Sequence, residues 1–384
     1  MTTHPEAPET SADYLWFTRP EARRWRGPQT SGSARGCHRM LPGYARTPLV
    51  PAPDLATAWS VGHVFVKDES SRFGLPSFKA LGVSYAIVRL LADRAGEAVS
   101  TSWTELQEQA RAHPVTLVTA TDGNHGRALA HFATLLGLGT QIIVPDVMTQ
   151  AAADAIAAEG AVVTRIDGSY DEAVAAAAAV ADASADKVLV QDTAWPGYEV
   201  VPGWIVEGYQ TMLEEVSEQL ADLGLGEPAL VAVPVGVGSL AQAVVAYYRA
   251  GDRQRPTSVL SCEPDTAACI LASLRAGELT RVPTGSTNMA GLNCGTQTSL
   301  GWPVLRDGLD AAVAVTDAAA AEGVRELTAL GLSAGASGAA TVAGVAAALS
   351  GEGANGRRQD MGLTDESVLV LLSTEGSAGA GGLT

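Results

Sequence analysis

From residue 64 onward the sequence alternates short β-branched runs with longer stretches of helical periodicity. Candidate strands fall at 64–67, 115–119, 141–144, 161–165, 187–191, 229–233, 258–262, 311–315 and 368–372. Helical patterns occupy most of the intervals, at 78–95, 124–136, 151–158, 170–183, 202–220, 239–250 and 266–276. Such alternation predicts an α/β protein with parallel sheet covered on both faces, because parallel strands need crossover connections and these are usually helices. Ligands then bind beyond the carboxyl ends of strands, in loops that lead into helices. Residues 1–60 are rich in Pro and Arg, have weak periodicity, and read as an arm wrapping the body.

A chain of 384 residues can bury one large core or two moderate ones. The net charge of −17 argues against nucleic acid or an anionic membrane as partner, since both would repel it. Seven Arg between residues 19 and 46, opposed only by Glu21, read as a solvated arm or one packed on acidic neighbours. Residues 1–12 lack the basic-then-apolar pattern of a secretory signal, which makes the cytoplasm the expected compartment. The long uncharged stretch 327–351 is mostly Ala, Gly, Ser and Thr, and so predicts a tightly packed buried helix instead of a membrane span. Four cysteines show no metal-like spacing and read as buried thiols, and no metal site is expected.

Lysine is scarce. Of 25 basic residues only Lys67, Lys79 and Lys187 are lysines. Arg cannot form a Schiff base, because its guanidinium is never neutral, so a retained lysine invites a chemical reading. Lys79 lies in Ser77-Phe78-Lys79 after a turn through Gly74 and Pro76. Ser77 suits an N-cap, which places Lys79 in the first helical turn, where the positive helix end favours a neutral amine. The alternative is an ordinary solvated lysine, which Phe78, Ala80 and Leu81 around it disfavour.

Three more loops follow strands. Asp122-Gly-Asn124-His125-Gly126 offers a carboxylate, an amide and an imidazole together, although Asp122 could equally be a turn residue or cap. Gly236-Val237-Gly238-Ser239 opens a helix, and consecutive backbone N–H groups there form an anion nest. It lacks both the Lys-Ser/Thr of a nucleoside-triphosphate loop and the third Gly of a dinucleotide fingerprint, which points to a single phosphate on a small cofactor. Ser373 and Thr374 emerge at the end of the last strand, where a hydroxyl could bond a cofactor ring.

Taken in order, these segments resemble the fold-type II (tryptophan synthase β-like) enzymes that use pyridoxal 5′-phosphate (PLP). The wording of RFGLPSFKALG, ATDGNHGRALA, QDTAWPGY, CEPDTAACI, MAGLNCGTQTSLGW and LLSTEG is similar to the diaminopropionate ammonia-lyases over nearly the whole chain. The resemblance implies two open, twisted, mostly parallel sheets flanked by helices, with PLP in the cleft between domains. The large domain would comprise 1–85 and 166–384, including the arm, and the small domain 86–165. Lys79 would hold PLP, Asn124 would contact the ring's 3′-oxygen, and Gly236, Val237, Gly238 and Ser239 would cradle the phosphate. Ser373 or Thr374 would face the ring nitrogen.

Asp122 stands where relatives that dehydrate serine or threonine carry Ser, and would be a second base for the D-substrate. Asp192 falls in a second segment near the substrate. The implied reaction is α,β-elimination of ammonia from 2,3-diaminopropionate, giving pyruvate and ammonia, in a cytoplasmic homodimer. Serine or threonine dehydration, or a biosynthetic β-elimination or β-replacement on a substituted diaminopropionate, are the alternatives. One departure is Ala336, where relatives carry Glu. Cys269 and Cys294 lie in two of the shared segments, either as free thiols or as a pair that could bridge on oxidation.

Overall fold

The computed structural model describes residues 15–27, 34–121, 123–251 and 256–377. Eleven strands are found among them: β1 (Trp16–Thr18), β2 (Leu49–Pro51), β3 (His63–Asp68), β4 (Thr116–Ala120), β5 (Gly139–Pro145), β6 (Val162–Ile166), β7 (Lys187–Leu189), β8 (Leu230–Pro234), β9 (Ser258–Pro264), β10 (Ala311–Val315) and β11 (Val368–Ser373). They form a seven-stranded sheet in the order β1-β10-β9-β8-β11-β3-β2 and a four-stranded sheet in the order β6-β5-β4-β7. Every internal pairing is parallel; only the edge strands β1 and β2 run antiparallel. The expected α/β fold with two mostly parallel sheets is therefore present.

The differences lie at the edges. β1 and β2 fall inside the stretch read as irregular, since three-residue strands are too short to show an alternating pattern. Pro51 in β2 is tolerated because an edge strand need not donate on both sides. The smaller sheet also runs past residue 165, because β7 adds to it by pairing Thr116 with Lys187 and Val118 with Leu189. The helix Trp103–Ala112, which the sequence reading left out, starts on Ser102, whose hydroxyl accepts from the Glu105 N–H. The basic arm packs on acids: Arg23 on Asp310, Arg35 on Glu218 and Arg46 on Asp222.

β8, β9 and β10 are buried from end to end, as strands of a covered parallel sheet should be. The small-residue stretch forms the helix Ala336–Leu349, most of it buried. Any Cβ at Gly344 would overlap Cys262 Sγ, so this helix lies on the sheet at a distance only Gly permits. A second close approach joins the helices Lys79–Ala95 and Val200–Asp222, where a Cβ at Gly208 would come within 2.6 Å of the Leu81 carbonyl. That contact brings Tyr209 beneath the start of the Lys79 helix, its ring centroid 4.7 Å from that of Phe78.

The turn that delivers Lys79 is tied down by a buried ionic cluster. Arg72 donates to both Glu69 oxygens and to both Glu215 oxygens, all at 2.7–2.8 Å. Lys67 Nζ donates to Glu215 at 2.7 Å, to the Thr47 carbonyl at 2.8 Å and to Gln219 at 3.0 Å. Next to Arg72, Phe73 is held at φ 57°, in the left-handed region that bulky residues avoid. Its ring is locked edge-on against Phe132 with centroids 5.1 Å apart.

Candidate active site

A cavity of about 260 Å³ opens where the loops after β3, β4, β8 and β11 converge. Lys79, Asn124, Asp192, Gly236, Val237, Gly238, Ser239 and Thr374 all line it, although they come from segments spread across some 300 residues. Asp122 lies outside the described residues.

Lys79 is the first residue of its helix and Phe78, not the expected Ser77, is the N-cap, although Ser77 Oγ accepts from the Lys79 N–H at 3.2 Å. The side chain reaches Asp192, and the two form an ion pair at the cavity wall. The amine is therefore not left to the helix end alone, as the sequence reading expected; a carboxylate faces it. Burial works to raise the Asp192 carboxyl, but the Lys79 charge, His125 and the Lys79 hydrogen bond outweigh it and hold the group at about 2. Asp192 is thus an anion throughout the neutral range. His125 lies 3.8 Å from Asp192 through Nδ1, while its Nε2 lies 2.7 Å from the Val190 carbonyl. Burial lowers the His125 pKa, Asp192 opposes this, and Lys79 reinforces it.

The Gly loop reads as an anion cradle. Gly238 has φ 98° and precedes the helix Ser239–Arg249, whose first N–H groups have no partner within the helix. A Cβ on Gly236 would meet the Gly291 carbonyl at 3.0 Å and Cys294 Sγ at 3.2 Å. Ser239 Oγ donates to the Asp192 carbonyl at 2.7 Å, so the loop and the carboxylate partner of Lys79 are mechanically linked. Cys269 Sγ lies 3.6 Å from the Gly236 carbonyl.

Across the cavity stands the end of β11. Ser373 Oγ and Ser337 Oγ are buried without a hydrogen-bond partner; Ser337 lines the cavity, whereas Ser373, unlike Thr374, is not among the lining residues. Glu375 also lines it and accepts from Asn124 Nδ2 at 2.8 Å. Its role was not legible in the sequence, where it is one letter of STEG. The signal available was its position: an acid directly after two hydroxyls at the end of an apolar strand. Where Ala336 leaves the small-residue loop without a side-chain acid, Glu375 brings a carboxylate to the adjoining Gly335.

A Gly cradle crowded against a Cβ, a lysine paired with a buried anion, and an orphaned hydroxyl opposite fit a small phosphorylated cofactor bearing an aldehyde and a heteroaromatic ring. Parallel sheets meeting at such a cleft define a fold-type II PLP enzyme. Residues 40–369 match the pyridoxal-phosphate dependent enzyme family, and the chain belongs to it. It is 37% identical over 351 residues to diaminopropionate ammonia-lyase of Escherichia coli K12, covering 89% of this chain and 87% of that one. The crystal structure of the Escherichia coli enzyme in complex with D-serine superposes with a TM-score of 0.84 at 33% identity, covering 94% of each chain. Maize serine racemase, 23% identical with a TM-score of 0.71, shares the fold.

Proposed function

We propose that this chain is a PLP-dependent ammonia-lyase that eliminates ammonia from 2,3-diaminopropionate to give pyruvate and ammonia. The observation that carries the reading is the pairing of Lys79 with an anionic Asp192 beside a Gly-lined cradle. Support also comes from the 37% identity to an enzyme of that name.

Bound PLP supplies an electron sink for the charge left at the substrate α-carbon. The chain does the rest. The N–H groups of 236–239 would hold the phosphate, Asn124 would meet the ring's 3′-oxygen, and Ser373 or Thr374 would face the ring nitrogen. A hydroxyl there would be a poor proton donor to the ring nitrogen. Lys79 would carry the cofactor and take the α-proton on its own side. Asp122 serves as base for the opposite enantiomer. Asp192, held low by the Lys79 charge beside it, would stabilise positive charge on Nζ and on the departing β-ammonium.

The same reading makes the chain a cytoplasmic homodimer acting on a small amino acid, with no nucleic-acid or membrane partner. The charge of −17 supports the last point, and among the described residues no helix is long and apolar enough to cross a membrane. The test is pyruvate release from D- and L-diaminopropionate, D- and L-serine, and threonine. Diaminopropionate should be turned over fastest. Asp122→Asn should abolish turnover of the D-isomer and slow the L-isomer by about 10- to 100-fold, within the contribution of one acid–base group. Equal loss on both isomers would remove Asp122 as the second base.

A further inference from the structure

We propose that Glu375 is a positioning residue: its carboxylate fixes the side-chain amide of Asn124 so that one N–H is held ready for the cofactor ring. An amide side chain has two ends of nearly equal shape, one donating and one accepting. A carboxylate can only accept, so only the NH₂ end of Asn124 can face it. The 2.8 Å contact from Asn124 Nδ2 to Glu375 Oε2 uses one of the two N–H groups and leaves the other for the cavity that both residues line.

Glu375 is itself held on three sides. Its carbonyl accepts from the Gly335 N–H at 3.0 Å, and its backbone bridges to Ser77, two residues before Lys79. Its neighbour Gly376 donates to Pro76 at 2.9 Å. A Cβ on Gly335 would come within 2.7 Å of Glu375 Oε1, so the bare backbone at residue 335 leaves room for the carboxylate where it stands. Glu375 is nearly buried, at 6% exposure, so a charge on it would be weakly screened by water. The negative charge beside Asn124 should favour the protonated form of any titrating group the cofactor brings to the site.

The inference rests on the reading that Asn124 meets the cofactor, and the experiment separates the two. PLP affinity is measured by titrating apoenzyme and following visible absorbance, for the parent, Asn124→Ala, Glu375→Ala, Glu375→Gln and the double Ala variant. Asn124→Ala should weaken binding, and Glu375→Ala should weaken it by about tenfold, the scale of one charge-assisted hydrogen bond. The double variant should bind no more weakly than Asn124→Ala alone, since Glu375 acts through Asn124. Glu375→Gln keeps an acceptor and should bind within about threefold of the parent, while the pH midpoint of the bound cofactor's absorbance moves down.

Parental affinity in Glu375→Ala, or losses that add in full, would overturn the inference while leaving Asn124 as a cofactor residue. Parental affinity in Asn124→Ala would overturn both. If Glu375→Ala does not fold, Glu375→Leu, which fills the slot without an acceptor, takes its place: parental PLP affinity there defeats the proposal.

Discussion

Two of the chain's three lysines lie close together in sequence, at the two ends of one turn, and both meet buried carboxylates. Lys67 has no exposed side-chain surface and spends its ammonium on three partners, Glu215, Gln219 and the Thr47 carbonyl. Arg72 and Glu69 close the cluster around it. Lys79 keeps 22% of its side chain accessible, at the wall of a cavity, with Asp192 beside it. The first arrangement is finished: its charges balance and its donors are occupied, so it holds the turn. The second opens onto space for a ligand. Lysine next to a carboxylate is therefore no sign of chemistry by itself; an adjoining cavity makes the difference.

Substitutions at the two lysines should separate these roles. Lys79→Ala should yield folded protein with no covalent cofactor and activity lower by at least about 10³-fold, as expected when a catalytic acid–base group is lost. Retained turnover in a pyruvate assay would merge the two classes of lysine. Lys67→Met should act on stability, by about 3–5 kcal/mol, because Glu215 loses part of its compensation inside the core. Urea unfolding of the apo-protein reads this directly, and a loss below 1 kcal/mol would mean that water or Arg72 compensates.

Gly238→Val tests the other wall of the cavity. It forces a β-branched residue to φ 98°, so PLP affinity should fall by about 10²-fold through the misplaced cradle. Full occupancy at stoichiometric PLP would give that loop another task. The smallest effect concerns pH. Asp192 sits at about 2 in the folded chain, below its ordinary 3.8, so its ion pair contributes stability above the ordinary value. That contribution, up to about 2 kcal/mol, should fade as pH falls from about 4 to about 2, and Asp192→Asn should flatten this part of the stability curve.

The same contrast explains what the sequence could reveal. Lys79, Asn124 and the Gly loop were legible because each follows a β-branched run and opens a helix, and parallel sheets put such loops at one edge. Asp192 came only through resemblance, since nothing in its local pattern says that it turns toward Lys79. The cluster of Lys67, Arg72 and Glu215 was invisible because Glu215 lies more than 140 residues away on a helix. Glu375 was hidden for a related reason: its partner Asn124 lies 251 residues away in sequence. Local pattern identifies loops that can carry chemistry, whereas pairings across the cleft depend on how the two sheets meet.

The central claim is that Lys79, and neither Lys67 nor Lys187, carries the cofactor. Borohydride reduction of the PLP-loaded protein, followed by proteolysis and mass spectrometry, locates the pyridoxyl group directly. The account predicts a single adduct on Lys79, absent from Lys79→Ala. An adduct on Lys67 would contradict it, because the buried cluster would then have to open to admit the cofactor.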